Sequence, residues 1–332
     1  VSRIVVLGAG SWGTTIAKVI ADGGTDVTLW SRREDLATEI NLQHRNGDYL
    51  PGINLPEKLA ATSDIEAALS EAEQIYLAVP AQSLRENLAS WALLIPKDAI
   101  VISLMKGVEQ GTGFRMSEVI EQATSLPKTR IAVISGPNLA LEIAKGEPAA
   151  AVCACADADR AASVAQVCSS EYFTVFTNTD VTGTELGGVL KNLIAVAIGI
   201  VSGLGYGQNT KASIMTRGLA EITKFAVVHG AKRKTLFGLA GLGDLIATSE
   251  SSLSRNFRAG EMLGQGFSKG EVVRKLQQTA EGLTSVAPVL ELAAQHGIEM
   301  PIVSQVADVL EGRMKPNEFG RQLNLQDAVE VE

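Results

Sequence analysis

The chain has 332 residues, 46% of them hydrophobic and 20% charged, with a formal net charge of −8. That length buries a sizeable core and suggests two domains. The acidic balance, with no long basic run, excludes a general nucleic-acid surface, so an anionic ligand needs a local cationic pocket.

The first element reads as an apolar strand, Ile4–Gly8, running into Gly8-Ala-Gly-Ser-Trp-Gly13. Gly8 suits the tight turn, Gly10 lets the backbone approach a pyrophosphate, and Gly13 lets the following helix pack closely on the strand. Thr14–Ala21 reads as that helix. Its free N–H groups and dipole favour phosphate, which makes this a dinucleotide site.

The second strand, Asp26–Trp30, ends in Ser31-Arg32-Arg33, with no acid before Glu34. An NAD-selective site places Asp or Glu about 20 residues past the glycines, to accept from the ribose 2′-OH. Arg32, with Arg33 beside it, instead suits a 2′-phosphate. NADP(H) is the expected cofactor, with NAD(H) as the second candidate. The alternative for both arginines is a solvated helix start.

Further strands are expected at Gln74–Val79, Ala99–Leu104, Arg130–Ser135, Ala149–Ala156 and Tyr172–Thr177, with helices such as Ile65–Leu69, Leu84–Leu94 and Met116–Ala123 between them. This alternation predicts a Rossmann-type, doubly wound, mostly parallel α/β sheet. Ligands of such sheets bind beyond the carboxyl ends of the strands. The turns Val79-Pro80-Ala81, Met105-Lys106-Gly107 and Ser135-Gly136-Pro137-Asn138 therefore matter most. Cys153, Cys155 and Cys168 are expected to be core residues in a reducing, cytoplasmic compartment. No metal site is expected, because His44, His229 and His296 are too few and too far apart. No charged and apolar leader with a cleavage site precedes the first strand, so a secretory signal is not expected.

From Val181 to Glu332 the chain reads as helical, which sets the expected domains at 1–180 and 181–332, the second all-α. His229-Gly230 and His296-Gly297 read as helix ends, and Thr284 and Pro301 as helix starts. Between Leu186 and Thr210 the one charged residue is Lys191. The unbroken apolar stretch after Asn192 is too short to cross a bilayer, so a buried core helix is expected and stable membrane insertion is not. A lysine entering such a helix either snorkels to the surface or serves as a proton donor and acceptor. Nicotinamide chemistry needs such a group within hydrogen-bond reach of the reacting oxygen. Lys191 and Lys106 are the candidates, because His229 and His296 read as caps. In Gly238–Leu245 the glycines allow close backbone approach. There Asp244 either holds a lysine or substrate hydroxyl, or simply caps a helix. Ser254-Arg255-Asn256 offers three donors at a helix start, suited to phosphate, or else a capped, solvated helix start.

Taken in order, Gly8-Ala-Gly-Ser-Trp-Gly13, Tyr49-Leu-Pro-Gly52, Val79-Pro80, Lys106-Gly-Val-Glu109, Ser135-Gly-Pro137, Leu190-Lys-Asn192, Thr216-Arg-Gly-Leu-Ala-Glu221, Gly241-Leu-Gly-Asp244 and Ser254-Arg-Asn256 carry a resemblance along essentially the whole chain. The sequence resembles the bacterial type of NAD(P)-dependent glycerol-3-phosphate dehydrogenase. The resemblance implies reversible reduction of dihydroxyacetone phosphate to sn-glycerol 3-phosphate, supplying glycerophospholipid synthesis. It implies Lys191 as proton acceptor, Lys106 touching substrate and cofactor, and Gly136, Asn138, Asp244, Ser254, Arg255 and Asn256 lining the substrate site. Ser11, Trp12, Arg32, Lys106, Ala140, Arg255 and Glu281 match cofactor contacts, and Arg33 joins them on charge alone. Two departures stand out: Asn138-Leu139 where the family has Ser or Thr then Phe, and Thr279-Ala280 where it tends to valines. The competing readings are a related two-domain hydroxyacid or sugar-acid reductase and a non-catalytic dinucleotide sensor. The expected partner is a small phosphorylated three-carbon substrate, and a two-fold homodimer is the default assembly.

Overall fold

Short runs of β-branched and aliphatic residues, buried on both faces, build the first half of the chain. In the computed structural model, which describes residues 3–276 and 280–320, eight strands form one sheet. They are β1 (Ile4–Leu7), β2 (Val27–Trp30), β3 (Leu59–Thr62), β4 (Gln74–Leu77), β5 (Ile100–Ser103), β6 (Ile131–Ser135), β7 (Ala149–Cys155) and β8 (Phe173–Asn178). Their spatial order is β3-β2-β1-β4-β5-β6-β7-β8. All neighbours pair parallel except β6 with β7, which run antiparallel. The first six strands follow the doubly wound order of a dinucleotide-binding sheet.

The strand period of two sorts the core. Ile4, Val6, Val27, Leu29 and Ile102 pack on one face with α1 (Ser11–Asp22), α2 (Glu34–Gln43), α6 (Ala140–Ala144) and α7 (Ala158–Val167). Val5, Leu7, Ile75, Leu77 and Val101 pack on the other with α3 (Ile65–Leu69), α4 (Leu84–Trp91) and α5 (Met116–Thr124). Each fully buried aliphatic side chain contributes roughly 1.5–3 kcal/mol of transfer free energy against the entropy of ordering the chain. The three cysteines are free and buried, and burial pushes the Cys168 thiol up to about 12.

By compactness the chain divides into two units, one of residues 1–109 and 114–181, the other of residues 110–113 and 182–332. Among the described residues the second unit is helical. It holds α8 (Val181–Gly203), α9 (Gln208–Val228), α10 (Arg233–Leu236), α11 (Asp244–Glu250), α12 (Arg255–Gly264), α13 (Lys269–Leu276), α14 (Glu281–Gln295) and α15 (Pro301–Leu310). Every residue from Gly183 to Val201 of α8 is buried. At 23 residues, α8 is long and apolar enough to cross a membrane by length and composition, more so than its nine-residue apolar stretch indicated. Protein, however, covers 89% of its most apolar window. It is the core helix of this unit.

Glycines set how α8 meets α12. A Cβ added at Gly199 or Gly203 would lie 2.2 Å from the Phe257 carbonyl oxygen or 2.1 Å from that of Glu261. One added at Gly260 or Gly264 would lie 2.1 Å from the Val196 oxygen or 2.2 Å from that of Ile200. The two backbones are therefore in direct contact over two turns, a reciprocal small-xxx-small seam. A buried carboxylate fixes α15: both oxygens of Glu221, on α9, accept from the backbone N–H groups of Ile302 and Val303 at 3.0 Å. His229 and His296 follow the last residues of α9 and α14, as their glycine neighbours suggested. Pro301 opens α15. Thr284 does not open α14; that helix begins at Glu281, and the Thr284 hydroxyl donates back to the Glu281 carbonyl at 3.0 Å.

Candidate active site

The turn after β1 is shaped by what surrounds its glycines. Gly8 has φ of +120°, and a Cβ there would sit 2.6 Å from the Ala78 oxygen. At Gly13 a Cβ would sit 1.9 Å from the Gly8 oxygen, so α1 lies directly on the turn. Gly10 is the N-cap of α1 and faces open space, with nothing within 4 Å of a Cβ position. The cap has no side-chain acceptor and the first turn no acidic residue, leaving N–H donors available to an anion. The Trp12 indole nitrogen is buried without a partner among the described residues. An open cradle, unsatisfied donors and an orphaned indole N–H fit a dinucleotide phosphate group.

A buried asparagine braces this turn. Asn46, fully inaccessible, donates to the Ala9 carbonyl at 3.0 Å and to Thr14 Oγ1 at 2.8 Å, and accepts from Tyr49 N–H at 3.2 Å. Ser11 Oγ donates to the Tyr49 carbonyl at 2.9 Å. Beyond β2 the two arginines separate. The Arg33 guanidinium binds Asp35 at 2.6 Å and Asp48 at 2.6 Å, and those carboxylates hold its pKa above the ordinary value. Arg32 is exposed and in no ion pair among the described residues.

Lys106 follows β5 and Gly136 follows β6, at the same carboxyl edge of the sheet as the glycine turn. Lys106 Nζ donates to the Gly136 carbonyl at 2.9 Å. In the orientation its surroundings favour, the Asn138 amide nitrogen donates to the Gly136 and Pro137 carbonyls at 3.3 and 3.2 Å. Gly136 has φ of +149°, and a Cβ there would press on Ala151 Cα at 3.0 Å. Ala140 opens α6, and its carbonyl accepts from Thr15 Oγ1 of α1 at 3.2 Å. Lys106, Gly136 and Asn138 thus form one cluster, and Ala140 ties α6 to α1.

The helical unit holds the second constellation. Lys191, 5% exposed, does not snorkel. Its ammonium lies 3.0 Å from Asp244 Oδ1 and donates to Thr248 Oγ1, and the Thr248 hydroxyl donates to the same Asp244 oxygen at 3.3 Å. Asp244 starts α11, and Thr248 follows one turn later on the same face. Leu239–Gly243 is wound as a π-turn pressed onto α8: a Cβ at Gly187 would lie 2.6 Å from the Ala240 oxygen. That approach, one turn before Lys191, brings the carboxylate to the ammonium.

The next residue of α8 opens a second network. Asn256 Nδ2 donates to Asn192 Oδ1 at 2.8 Å, and Asn256 Oδ1 accepts from Gly282 N–H at 2.8 Å. Glu281, beside Gly282, begins α14. A Cβ at Gly282 would lie 2.8 Å from the Asn192 backbone carbonyl oxygen, so the junction tolerates only glycine. Ser254 is buried and caps α12, its hydroxyl accepting from Phe257 N–H at 3.2 Å. Arg255, in the first turn of α12, is exposed and in no ion pair among the described residues. Lys191, Asp244 and Asn256 are thereby drawn together at the middle of α8, with Glu281 beside them, while Ser254 Oγ caps α12.

The model of the NAD-dependent glycerol-3-phosphate dehydrogenase N-terminus matches residues 3–161, and that of the C-terminus matches residues 180–321. The chain belongs to the NAD-dependent glycerol-3-phosphate dehydrogenase family. It is 58% identical over 322 residues to glycerol-3-phosphate dehydrogenase [NAD(P)+] of Leifsonia xyli subsp. xyli, covering 97% of this chain and 87% of the relative. It is 51% identical over 318 residues to the Thermobifida fusca protein of the same name, covering 96% and 95%. The crystal structure of glycerol-3-phosphate dehydrogenase from Coxiella burnetii aligns with a TM-score of 0.90 at 37% identity, over 98% of this chain and 99% of that one.

Membership of the glycerol-3-phosphate dehydrogenase family makes the chain an NAD(P)-dependent oxidoreductase. Three residues that shape these sites were not assigned a role from the sequence. Thr248 carries a readable signal, a hydroxyl four residues after Asp244 on one helix face. Asn192 adjoins Lys191 within a quoted motif, yet its role follows from Asn256, 64 residues away. Asn46 sits in a loop with no period to reveal it. Thr279, one of the two departures before Glu281, lies outside the described residues.

Proposed function

We propose that this protein catalyses the reversible NAD(P)H-dependent reduction of dihydroxyacetone phosphate to sn-glycerol 3-phosphate, with Lys191 exchanging the proton. The observation that carries this reading is the buried Lys191–Asp244 pair with Thr248. The reduced nicotinamide, when bound, supplies the hydride to the carbonyl carbon. As the C=O π bond breaks, its oxygen takes a proton from the Lys191 ammonium, within hydrogen-bond reach. Asp244 and Thr248 together hold the ammonium in place. In the reverse direction the neutral amine accepts the hydroxyl proton.

Gly8, Gly10, Ser11, Trp12 and Gly13 would hold the pyrophosphate, and Lys106, Ala140, Arg255 and Glu281 would complete the cofactor site. Arg32 is assigned to the 2′-phosphate, which makes NADPH the preferred donor. Arg33 serves it at second hand, because its guanidinium already carries two carboxylates. Lys106, Gly136, Asn138, Ser254, Arg255 and Asn256 are assigned to the substrate, the last three at the amino end of α12, where N–H groups and the helix dipole favour phosphate. Residues 1–180 would form the cofactor-binding domain and 181–332 the substrate and catalytic domain. A cytoplasmic setting, a homodimer and supply of glycerophospholipid synthesis complete the reading.

The test is purified protein with NADPH and either dihydroxyacetone phosphate or dihydroxyacetone. Absorbance at 340 nm is expected to fall with the phosphorylated ketone alone. Turnover of the unphosphorylated ketone at an equal rate, or of neither, rejects the assignment.

A further inference from the structure

We propose that the Arg85–Glu109 ion pair is a positioning device for Lys106, setting where its ammonium is presented to substrate and cofactor. The inference rests on the role given to Lys106 above. Lys106 stands where the chain leaves β5, and the three residues after it are fastened from one short stretch, residues 81–85, leading into α4. A Cβ at Gly107 would lie 2.7 Å from Ala81 Cβ. Gln82 Nε2 donates to the Val108 carbonyl at 2.8 Å. Arg85 grips Glu109 with two parallel bonds, Nε to Oε1 at 2.6 Å and Nη2 to Oε2 at 2.8 Å, and Nη2 also donates to Gln122 Oε1 at 3.0 Å. From the other side, Glu109 N–H donates to the Phe114 carbonyl at 2.8 Å, and Val108 bridges Arg115. Lys106 is hooked at its far end to the Gly136 carbonyl.

The geometry of the pair argues for orientation rather than bulk stability. Glu109 is nearly covered, with 14% of its side chain exposed, whereas Arg85 is 42% exposed. A partly exposed pair adds little to global folding. A two-bond fork, by contrast, fixes distance and rotation together. Its carboxylate lies three residues from Lys106, and displacements of about 1 Å at a reacting centre lower turnover by up to about a hundredfold. A lysine in place of Arg85 offers a point charge without the fork. Arg85→Lys should therefore recover only part of what Arg85→Ala loses.

A double-mutant cycle in kcat/KM for dihydroxyacetone phosphate tests this. Arg85→Ala is expected to lower kcat/KM about tenfold in the otherwise unaltered enzyme, and less than about twofold when Lys106 is already alanine, because the device then has nothing to position. Equal factors in the two backgrounds, or no effect of Arg85→Ala in the unaltered enzyme, overturn the proposal. Full activity in Lys106→Ala alone would instead reject the role of Lys106 and this inference with it, an outcome distinguishable from additivity. If Arg85→Ala fails to fold, Glu109→Gln, which keeps the size and removes the charge, takes its place in the same cycle.

Discussion

Replacing Asp244 with asparagine isolates the electrostatics of the buried lysine. Asp244 Oδ1 lies 3.0 Å from the Lys191 ammonium, and the side chains are 2% and 7% exposed. At an effective dielectric of about 20, unit charges at that distance attract by about 5–6 kcal/mol. Desolvation has already consumed part of that gain, so the pair's net worth is smaller than this figure. Removing one partner is different, because it takes the nearest opposite charge from an ammonium in a covered site, at a loss of about 3–5 kcal/mol. Asp244→Asn keeps volume and the acceptor for Thr248, so packing changes little. Urea unfolding at pH 7 should show the unfolding free energy falling by about 3–5 kcal/mol. The double variant Lys191→Met/Asp244→Asn should recover most of this, because neither charge of the pair then remains. A loss under about 1 kcal/mol in Asp244→Asn, or additive losses in the double variant, would show that the ammonium has solvent or another anion to turn to, and the argument would fail.

Three further outcomes follow from other parts of the molecule. Arg32→Asp should raise the KM for NADPH far more than that for NADH; equal effects on the two would remove the 2′-phosphate from the account of Arg32. Gly260→Ala sets a methyl 2.1 Å from the backbone oxygen of Val196, and forcing α8 and α12 apart should lower the unfolding free energy by about 3 kcal/mol; an unchanged urea midpoint would refute the backbone contact. Burial pushes the Glu221 carboxyl up to about 7, against the pull of the Val303 and Ile302 N–H groups and Arg217. The folded state therefore holds that proton more tightly than the unfolded chain, so its contribution is present at low pH and lost as pH rises from about 4.5 through about 7, roughly 3 kcal/mol in all. Unfolding free energies at pH 5 and pH 8 should differ by about that much more in the unaltered protein than in Glu221→Gln, and identical pH dependences would refute it.

The doubly wound sheet was legible because its strands announce themselves. Ile4–Leu7, Ile100–Ser103 and Ile131–Ser135 are β-branched runs between helical stretches, and seven of the eight strands lie within a residue or two of where those runs place them. The eighth, β3, is Leu59-Ala-Ala-Thr62, an edge strand with little β propensity that exists because β2 offers it a ladder. The glycine turn was legible for the same local reason, since Gly8 and Gly13 answer to neighbours within the turn or at the end of β4, and Gly10 stands open at the helix start. The seam between α8 and α12 carried a signal in the four-residue spacing of Gly199 and Gly203 and of Gly260 and Gly264, visible only when the two helices are read together. Arg33 shows the limit. Its charge recommended it for the cofactor, but Asp48 reaches it from a loop fifteen residues on, and no local pattern records that pairing. Asn192 is similar, because its hydrogen-bond partner Asn256, 64 residues away, is fixed by packing, not by spacing.

Whether the Lys191 ammonium exchanges the proton is read from single-turnover hydride transfer in Lys191→Ala. With NADPH saturating and dihydroxyacetone phosphate in excess, the 340 nm transient should slow by about a hundredfold or more, with NADPH affinity nearly unchanged and partial recovery on adding a small primary amine. A transient within about threefold of the unaltered enzyme would place the proton elsewhere and contradict the account.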